Sequence, residues 1–249
     1  MSKIIVFDTE TTSLNKPFCY NCGYIVADSE TGAIYERKDF VIEQIWHNLP
    51  LFETAYYAEK RPIYIKRMKA RTVKMIKFGY VCREMTRDIK KYNIEYAFAY
   101  NSDFDERVFN FNCDWFKCIN PFDNVEIKDI RGYAHKFLIN EDFKTFCERY
   151  ELFTDSGNYS TTAETMYKYI TNKIDFTEEH TALSDSIIEW EILKECINKG
   201  GRIEETYPSK KSIPRIQDKI LTIIKDDEKI LYKCKGYTFY KSKDTIKLK

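Results

Sequence analysis

The most constraining feature of this 249-residue chain is where its first apolar run stops. Ile4-Ile5-Val6-Phe7 runs directly into Asp8-Thr9-Glu10. A short apolar run of this kind reads as a buried strand. On an extended chain residues i and i+2 point to the same side. The two carboxylates therefore stand side by side at a buried strand's end, where repulsion and lost hydration are costly. A hard divalent cation removes that cost, because Mg²⁺ prefers carboxylate and water oxygens. For an isolated Asp-x-Glu the alternative is two solvated acids in a turn.

The rest of the chain supplies a frame for that strand. Residues 18–28 and 33–42 read as two more strands around the turn Ser29-Glu30-Thr31-Gly32. Residues 43–92 carry helical patterns interrupted near Pro50 and Pro62. Within them Phe78, Val81, Cys82, Met85 and Ile89 fall on one helix face. Residues 96–100 and 125–130 read as strands. Helices are predicted over 103–116, 131–138, 141–150, 161–171 and 182–198. This order predicts an α/β fold, a mixed sheet flanked by helices. Gly200-Gly201 ends the last helix. Beyond it, 220–225 and 230–234 read as a hairpin around residues 226–229, with a further strand at 237–240. The expected division is a core over 1–201 and a small basic β-rich appendage over 202–249.

Two more acidic clusters follow predicted elements. Asn101-Ser102-Asp103-Phe104-Asp105 comes directly after the strand at 96–100, and strand ends are where α/β sheets place ligands. An ordinary helix start, with Ser102 or Asp103 as its cap, explains that segment equally well. His180-Thr181-Ala182-Leu183-Ser184-Asp185 leads into the last helix. An imidazole there can accept a proton near neutral pH, and Asp185 can supply another cation ligand. Taken singly, Asp185 could instead be an acid favoured by the helix dipole.

Taken in order, IVFDTETTSL, AYNSDFDERVF and HTALSDSIIEWEIL resemble the three motifs of the DEDDh exonuclease superfamily. That group includes polymerase proofreading exonucleases, RNase T and oligoribonuclease. Its pattern is D-x-E after an apolar strand, N-x-x-F-D after another, and H-x-A-x-x-D opening the last helix. The resemblance implies an RNase H-like fold, two divalent cations (Mg²⁺ or Mn²⁺) and hydrolysis from a free 3′ end. It assigns Asp8, Glu10, Asp105 and Asp185 as metal ligands and His180 as general base. Asp103 competes for the second-motif role, but the spacing from Asn101 and the preceding Phe104 favour Asp105. The resemblance also puts Thr11 and Thr12 where the backbone holds the terminal nucleotide.

Charge then matters through its distribution. The formal net charge is only +1, yet residues 53–78 hold eight Lys/Arg against two Glu. Residues 202–249 hold thirteen Lys/Arg against seven Asp/Glu, which leaves the remainder strongly acidic. Over 53–78, Lys66, Arg67, Lys69 and Arg71 are interleaved with Tyr56, Tyr57, Tyr64 and Phe78, a mixture suited to phosphates and stacked bases. The competing expectation is a solvated amphipathic helix whose tyrosines belong to the core. Phe18 and Tyr20 are further stacking candidates. The appendage could grip nucleic acid or dock a protein, and its apolar strand could pair edge to edge in a homo-oligomer.

Other classes find no support. The start of the sequence lacks a signal-peptide pattern, and no window reaches the roughly 18–20 apolar residues of a membrane span. Eight cysteines without an export signal point to a reducing cytoplasm and free thiols. Cys19 and Cys22, and the looser pair Cys113 and Cys118, fall short of the four convergent ligands of a structural zinc site. His47 and His135 have no ligand-like surroundings. The expectation is a cytoplasmic 3′→5′ exonuclease releasing nucleoside 5′-monophosphates from single-stranded or frayed ends. DNA is favoured because the first motif resembles proofreading subunits closely, and a polymerase or other replication protein is a candidate partner. The alternatives are an RNase T- or oligoribonuclease-like RNA trimmer, or an accessory module with secondary nuclease activity. The Lys-, Ile- and Tyr-rich composition hints at an AT-rich genome such as a phage's.

Overall fold

The computed structural model describes residues 2–210 and 212–215 in full, and beyond them the backbone of four strands between 222 and 248. The first part runs β1 (Lys3–Thr11), β2 (Cys19–Asp28), β3 (Ile34–Ile42), α1 (Glu43–Trp46), α2 (Leu49–Phe52), α3 (Arg61–Lys69) and β4 (Lys74–Ile76). It continues with α4 (Phe78–Tyr92), β5 (Tyr96–Ala99), α5 (Ser102–Phe116), β6 (Glu126–Asp129), α6 (Ile130–Phe137), α7 (Glu141–Arg149), α8 (Ala163–Thr171) and α9 (Ala182–Asn198). The sheet has the order β4-β3-β2-β1-β5-β6. β1–β2 and β2–β3 are antiparallel, while β3–β4, β1–β5 and β5–β6 are parallel. This is the mixed, helix-flanked sheet of an RNase H-like fold.

The structure refines two local readings. Pro50 and Pro62 lie in the first turns of α2 and α3. A missing N–H is harmless there, so each proline opens a new helix just after the interruption read from the sequence. The three-residue β4, too short to show a period in sequence, extends the sheet beyond β3.

β1 alternates between two cores, as a central strand must. Ile5 and Phe7 face a cluster with Val81 and Met85 of α4 and Val108 and Phe109 of α5. Ile4 and Val6 face the opposite cluster, with Tyr133 of α6 and Trp190 and Leu193 of α9. Each such fully buried aliphatic or aromatic side chain contributes roughly 1.5–3 kcal/mol. β1 is thereby fixed from both faces, and its acidic end has little freedom to move.

α9 lies across β1 and β2, and glycine sets how closely. A Cβ on Gly23 would sit 2.1 Å from the backbone nitrogen of Leu183. Gly23 is also the cross-strand partner of Asp8. The helix that carries Asp185 is thus seated against the backbone directly beside Asp8.

After α9 the chain turns back along the core. The Tyr133 hydroxyl donates to the Arg202 carbonyl at 3.1 Å, and Ile203 and Ile213 are buried. A Cβ on Gly132 of α6 would lie 1.7 Å from the Tyr207 carbonyl oxygen, so the segment crosses α6 at a glycine. Farther on, β7 (Thr222–Asp226), β8 (Lys229–Cys234), β9 (Tyr237–Ser242) and β10 (Thr245–Leu248) form an antiparallel meander. β7, β8 and β9 cover the three strands read from the sequence, and β10 adds a fourth. Residues 220–221 and 227–228 of the expected hairpin lie outside the described residues. Among the described residues, no helix is long and apolar enough to cross a membrane.

Candidate active site

Three chain segments bring acids to the end of β1. The first is β1 itself, whose pairing with β2 slips between Glu10 and Thr11. Thr9 points opposite to Asp8 and Glu10, and its hydroxyl donates to Asp105 Oδ1 at 2.6 Å. The second is the turn from β5 into α5. Asn101 there adopts φ +63°, a left-handed conformation that asparagine tolerates better than most residues. Its N–H donates to Asp129 Oδ1 at 2.8 Å. The turn aims the first turn of α5 so that Asp105 is buried beside β1 while Asp103 is exposed.

The third segment is the entry to α9. His180 has φ +53°, and the chain then extends through Thr181 into the helix. Asn21 of β2 holds this entry: its Oδ1 accepts from Ala182 N–H at 2.8 Å and from the Tyr64 hydroxyl at 3.0 Å. Ser186 Oγ donates to the Gly23 carbonyl at 3.1 Å. Asp185 is 7% exposed, and its Oδ1 has no hydrogen-bond partner among the described residues. Ligand atoms of Glu10, His180 and Asp185 all lie within 4.8 Å of one another. The His180 ring stacks on Tyr57 with centroids 4.2 Å apart and planes 11° from parallel.

The electrostatics follow from this crowding. Burial, then the charges of Asp105, Glu189, Asp185 and Glu10, push the Asp8 carboxyl well above its ordinary range. Burial and Asp105 raise Glu10 to about 8, with the Tyr20 hydroxyl pulling the other way. Burial raises Asp105 to about 7 against the Thr9 hydrogen bond. Burial and Glu178 raise Asp185 to about 9. Acids that resist ionisation because they are buried, with neighbouring carboxylates adding to the cost, are what a bound divalent cation relieves. The unpartnered Asp185 oxygen supplies a free donor, so the residue set fits a hard cation. His180 is shifted the other way, below its ordinary value, by burial and the nearby Lys60. Its imidazole is therefore neutral at pH 7 and can accept a proton.

A groove of about 450 Å³ opens beside Glu10, lined by Thr11, Thr12, Tyr56, Tyr57 and Phe104 among others. Thr12 Oγ1 is buried there without a partner among the described residues. The structure thus brings Thr11, Thr12 and Phe104 together with Glu10 along one groove. Asn101 instead shapes the turn that delivers Asp105.

The basic segment divides. Lys66, Lys69 and Arg71 are exposed and do not line this groove. Arg67 turns inward: its guanidinium donates to Glu179 at 2.6 Å and to the Thr181 hydroxyl at 3.0 Å, and lies 3.5 Å from Asp39. Tyr64 and Phe78 are fully buried and cannot receive a base, whereas Tyr56 is 85% exposed. Phe18 packs on Phe111 and Trp115, and Tyr20 is buried with its hydroxyl toward Glu10. His135 accepts from Lys210 N–H at 2.8 Å, a structural contact.

Sequence reasoning missed Asn21, Gly23, Lys60 and Glu189. Glu189 was within reach, since it stands one helical turn beyond Asp185 on α9. It is buried, and its Oε2 has no partner among the described residues. The role of Asn21 depends on contact with a helix far along the chain and leaves no local signal.

No family model and no curated protein matches the sequence. Solved structures do share its fold. E. coli exonuclease I in complex with a dT13 oligonucleotide matches with a TM-score of 0.53 at 18% identity, covering 80% of this chain and 42% of that one. The nuclease domain of 3′hExo, a DEDDh family member bound to rAMP, matches with a TM-score of 0.55 at 14% identity, covering 82% of this chain and 97% of that domain. A 3′-exonuclease solved for its 3′-end specific recognition of a histone mRNA stem-loop matches at 0.55 and 12% identity, covering 100% and 73%. This chain therefore shares the fold of these structures, and the match spans less than half the length of E. coli exonuclease I.

Proposed function

We propose that this protein is a metal-dependent 3′→5′ exonuclease that releases nucleoside 5′-monophosphates from single-stranded or frayed DNA ends. The observation that carries the proposal is the cluster itself. Asp8, Glu10, Asp105 and Asp185 arrive from three separated segments with raised carboxyls, Glu10 and Asp185 stand beside a neutral His180, and Glu10 lines a groove. A core gains nothing from acids this buried, whose charge Lys60 and Arg67 offset only in part. The fold shared with E. coli exonuclease I and the 3′hExo nuclease domain supports the same reading.

Two divalent cations, Mg²⁺ or Mn²⁺, held by Asp8, Glu10, Asp105 and Asp185 would supply charge neutralisation and Lewis-acid polarisation of the scissile phosphate. The chain's own residues do the rest. Thr11, Thr12 and Phe104 receive the terminal nucleotide, with Tyr56 exposed as a stacking face. The neutral His180 takes the proton of the attacking water, and the Tyr57 ring against it holds the imidazole plane. Lys66, Lys69, Arg71 and the basic segment beyond residue 202 contact phosphates farther from the 3′ end. A replication protein is the partner such an activity would serve.

RNA is the second reading, favoured by the near-complete coverage of a domain solved with rAMP. Product analysis on matched single-stranded DNA and RNA in Mg²⁺ tests both. Nucleoside 5′-monophosphates from the earliest times are expected, with DNA consumed faster. Release of the 3′ end as di- or oligonucleotides rather than mononucleotides, or nucleoside 3′-monophosphates, would overturn the reaction class. Faster consumption of RNA would reassign the substrate.

A further inference from the structure

The two helices that flank one face of the sheet, α4 and α5, bring three cysteines to one point. Cys82 and Cys113 are buried in their facing sides, 2% and 6% exposed. Cys118 follows the left-handed Lys117 at the end of α5, and its N–H bonds back to the Cys113 carbonyl at 3.0 Å. The Cys82 sulfur lies 3.9 Å from that of Cys113 and 3.8 Å from that of Cys118, and all three are within 4.8 Å of one another. All three are free thiols.

We propose that Cys82, Cys113 and Cys118 form a binding site for one thiophilic metal ion, Zn²⁺, built independently of the carboxylate centre. The spacing is the first argument. Ligands about 2.3 Å from a tetrahedral zinc stand about 3.8 Å apart, which is what two of the sulfur separations already match. The second is access. A cavity of about 750 Å³ lined by Gly79 and Phe116 opens onto two of the three, Cys82 and Cys118. It gives an ion a route in and leaves a fourth position for water. The third is charge. Three thiolates with Zn²⁺ carry a net negative charge, and Arg83, Arg87, Lys90 and Lys117 line the same cavity. On binding, three metal–sulfur bonds form and the three thiol protons pass to solvent. Because Cys82 stands far from Cys113 and Cys118 in sequence, no C-x-x-C spacing announces the site. Because α5 also carries Asp105, the ion would pin the far end of that helix to α4.

The test uses the full chain, reduced and with excess Mg²⁺ to occupy oxygen sites, titrated with Cd²⁺ as the spectroscopic probe. A thiolate-to-Cd²⁺ charge-transfer band should saturate at a single equivalent and reverse with Zn²⁺. Cys118→Ser should weaken the binding by roughly tenfold or more. In the unmodified protein, Zn²⁺ should slow alkylation of Cys118 by iodoacetamide, located by peptide mass. Absence of the band, a band unchanged in Cys118→Ser, or an unprotected Cys118 would overturn the proposal. None of these outcomes depends on nuclease activity.

Discussion

At the residue scale, the site places its acids and its base in opposite electrostatic positions. Burial, with neighbouring acids adding to it, raises the carboxyls of Asp8, Glu10, Asp105 and Asp185, whereas burial and Lys60 lower His180. Replacing His180 by Ala should lower kcat by roughly 10²–10⁴, the usual span for a general base, with KM little changed. Steady-state kinetics on a single-stranded oligonucleotide checks this, and an unchanged kcat would remove His180 from the reaction. The residues proposed to carry the chemistry were legible in the sequence. Asp-x-Glu at a strand end and His-x₄-Asp at a helix start are ambiguous singly, and the resemblance of three motifs in order assigned their roles. Their neighbours were not legible. Tyr64 and Phe78 alternate with lysines as a stacking surface would, yet they are buried, and sequence spacing alone does not separate the two cases. Asn21 and Gly23 act only through contact with α9, and nothing near them announces it.

At the element scale, activity depends on how α9 and its entry turn are seated. Gly23→Ala would drive a Cβ into the backbone of Leu183, where no side chain can yield. Overpacking of this kind costs roughly 1–3 kcal/mol or more, so urea unfolding should register the loss. Activity measured well below the unfolding midpoint should fall as well, because Asp185 and His180 ride on the displaced helix. The inward Arg67 and the outward lysines make a second contrast. Arg67 ties α3 to Glu179 and Thr181 on either side of His180, so Arg67→Met should lower kcat more than it raises KM. Neutralising Lys66, Lys69 and Arg71 together should raise KM and flatten its salt dependence, by a slope of up to about 0.7 for each single-strand phosphate left without its cation. Identical effects from the two variants would contradict the division. The sequence grouped these four cations because it records their spacing along α3 and the turn after it but not the acids that come to meet one of them.

At the scale of the whole molecule, the acidic centre and the basic segments are opposed requirements that nearly cancel in a net charge of +1. The acidic centre also fixes how stability varies with pH. In the unfolded chain its carboxyls titrate near pH 4. In the folded chain Glu10, Asp105 and Asp185 titrate near 8, 7 and 9. Between those limits the folded state holds the extra protons, so the stabilisation is complete below the unfolded values and is lost as pH rises through the folded ones. In EDTA, Tm should fall between about pH 5 and 8 and fall less in Asp185→Asn, with Mg²⁺ restoring more at pH 8 than at pH 5. A metal-free Tm with the same pH slope in both proteins would show that the acids do not share one site. The central claim itself is tested by a 5′-labelled single-stranded oligonucleotide incubated with the protein in Mg²⁺. The account predicts a ladder of labelled products that shortens one nucleotide at a time from the 3′ end and vanishes in EDTA and in Asp8→Asn. Immediate release of the labelled 5′ nucleotide, or a ladder that persists in Asp8→Asn, would contradict it.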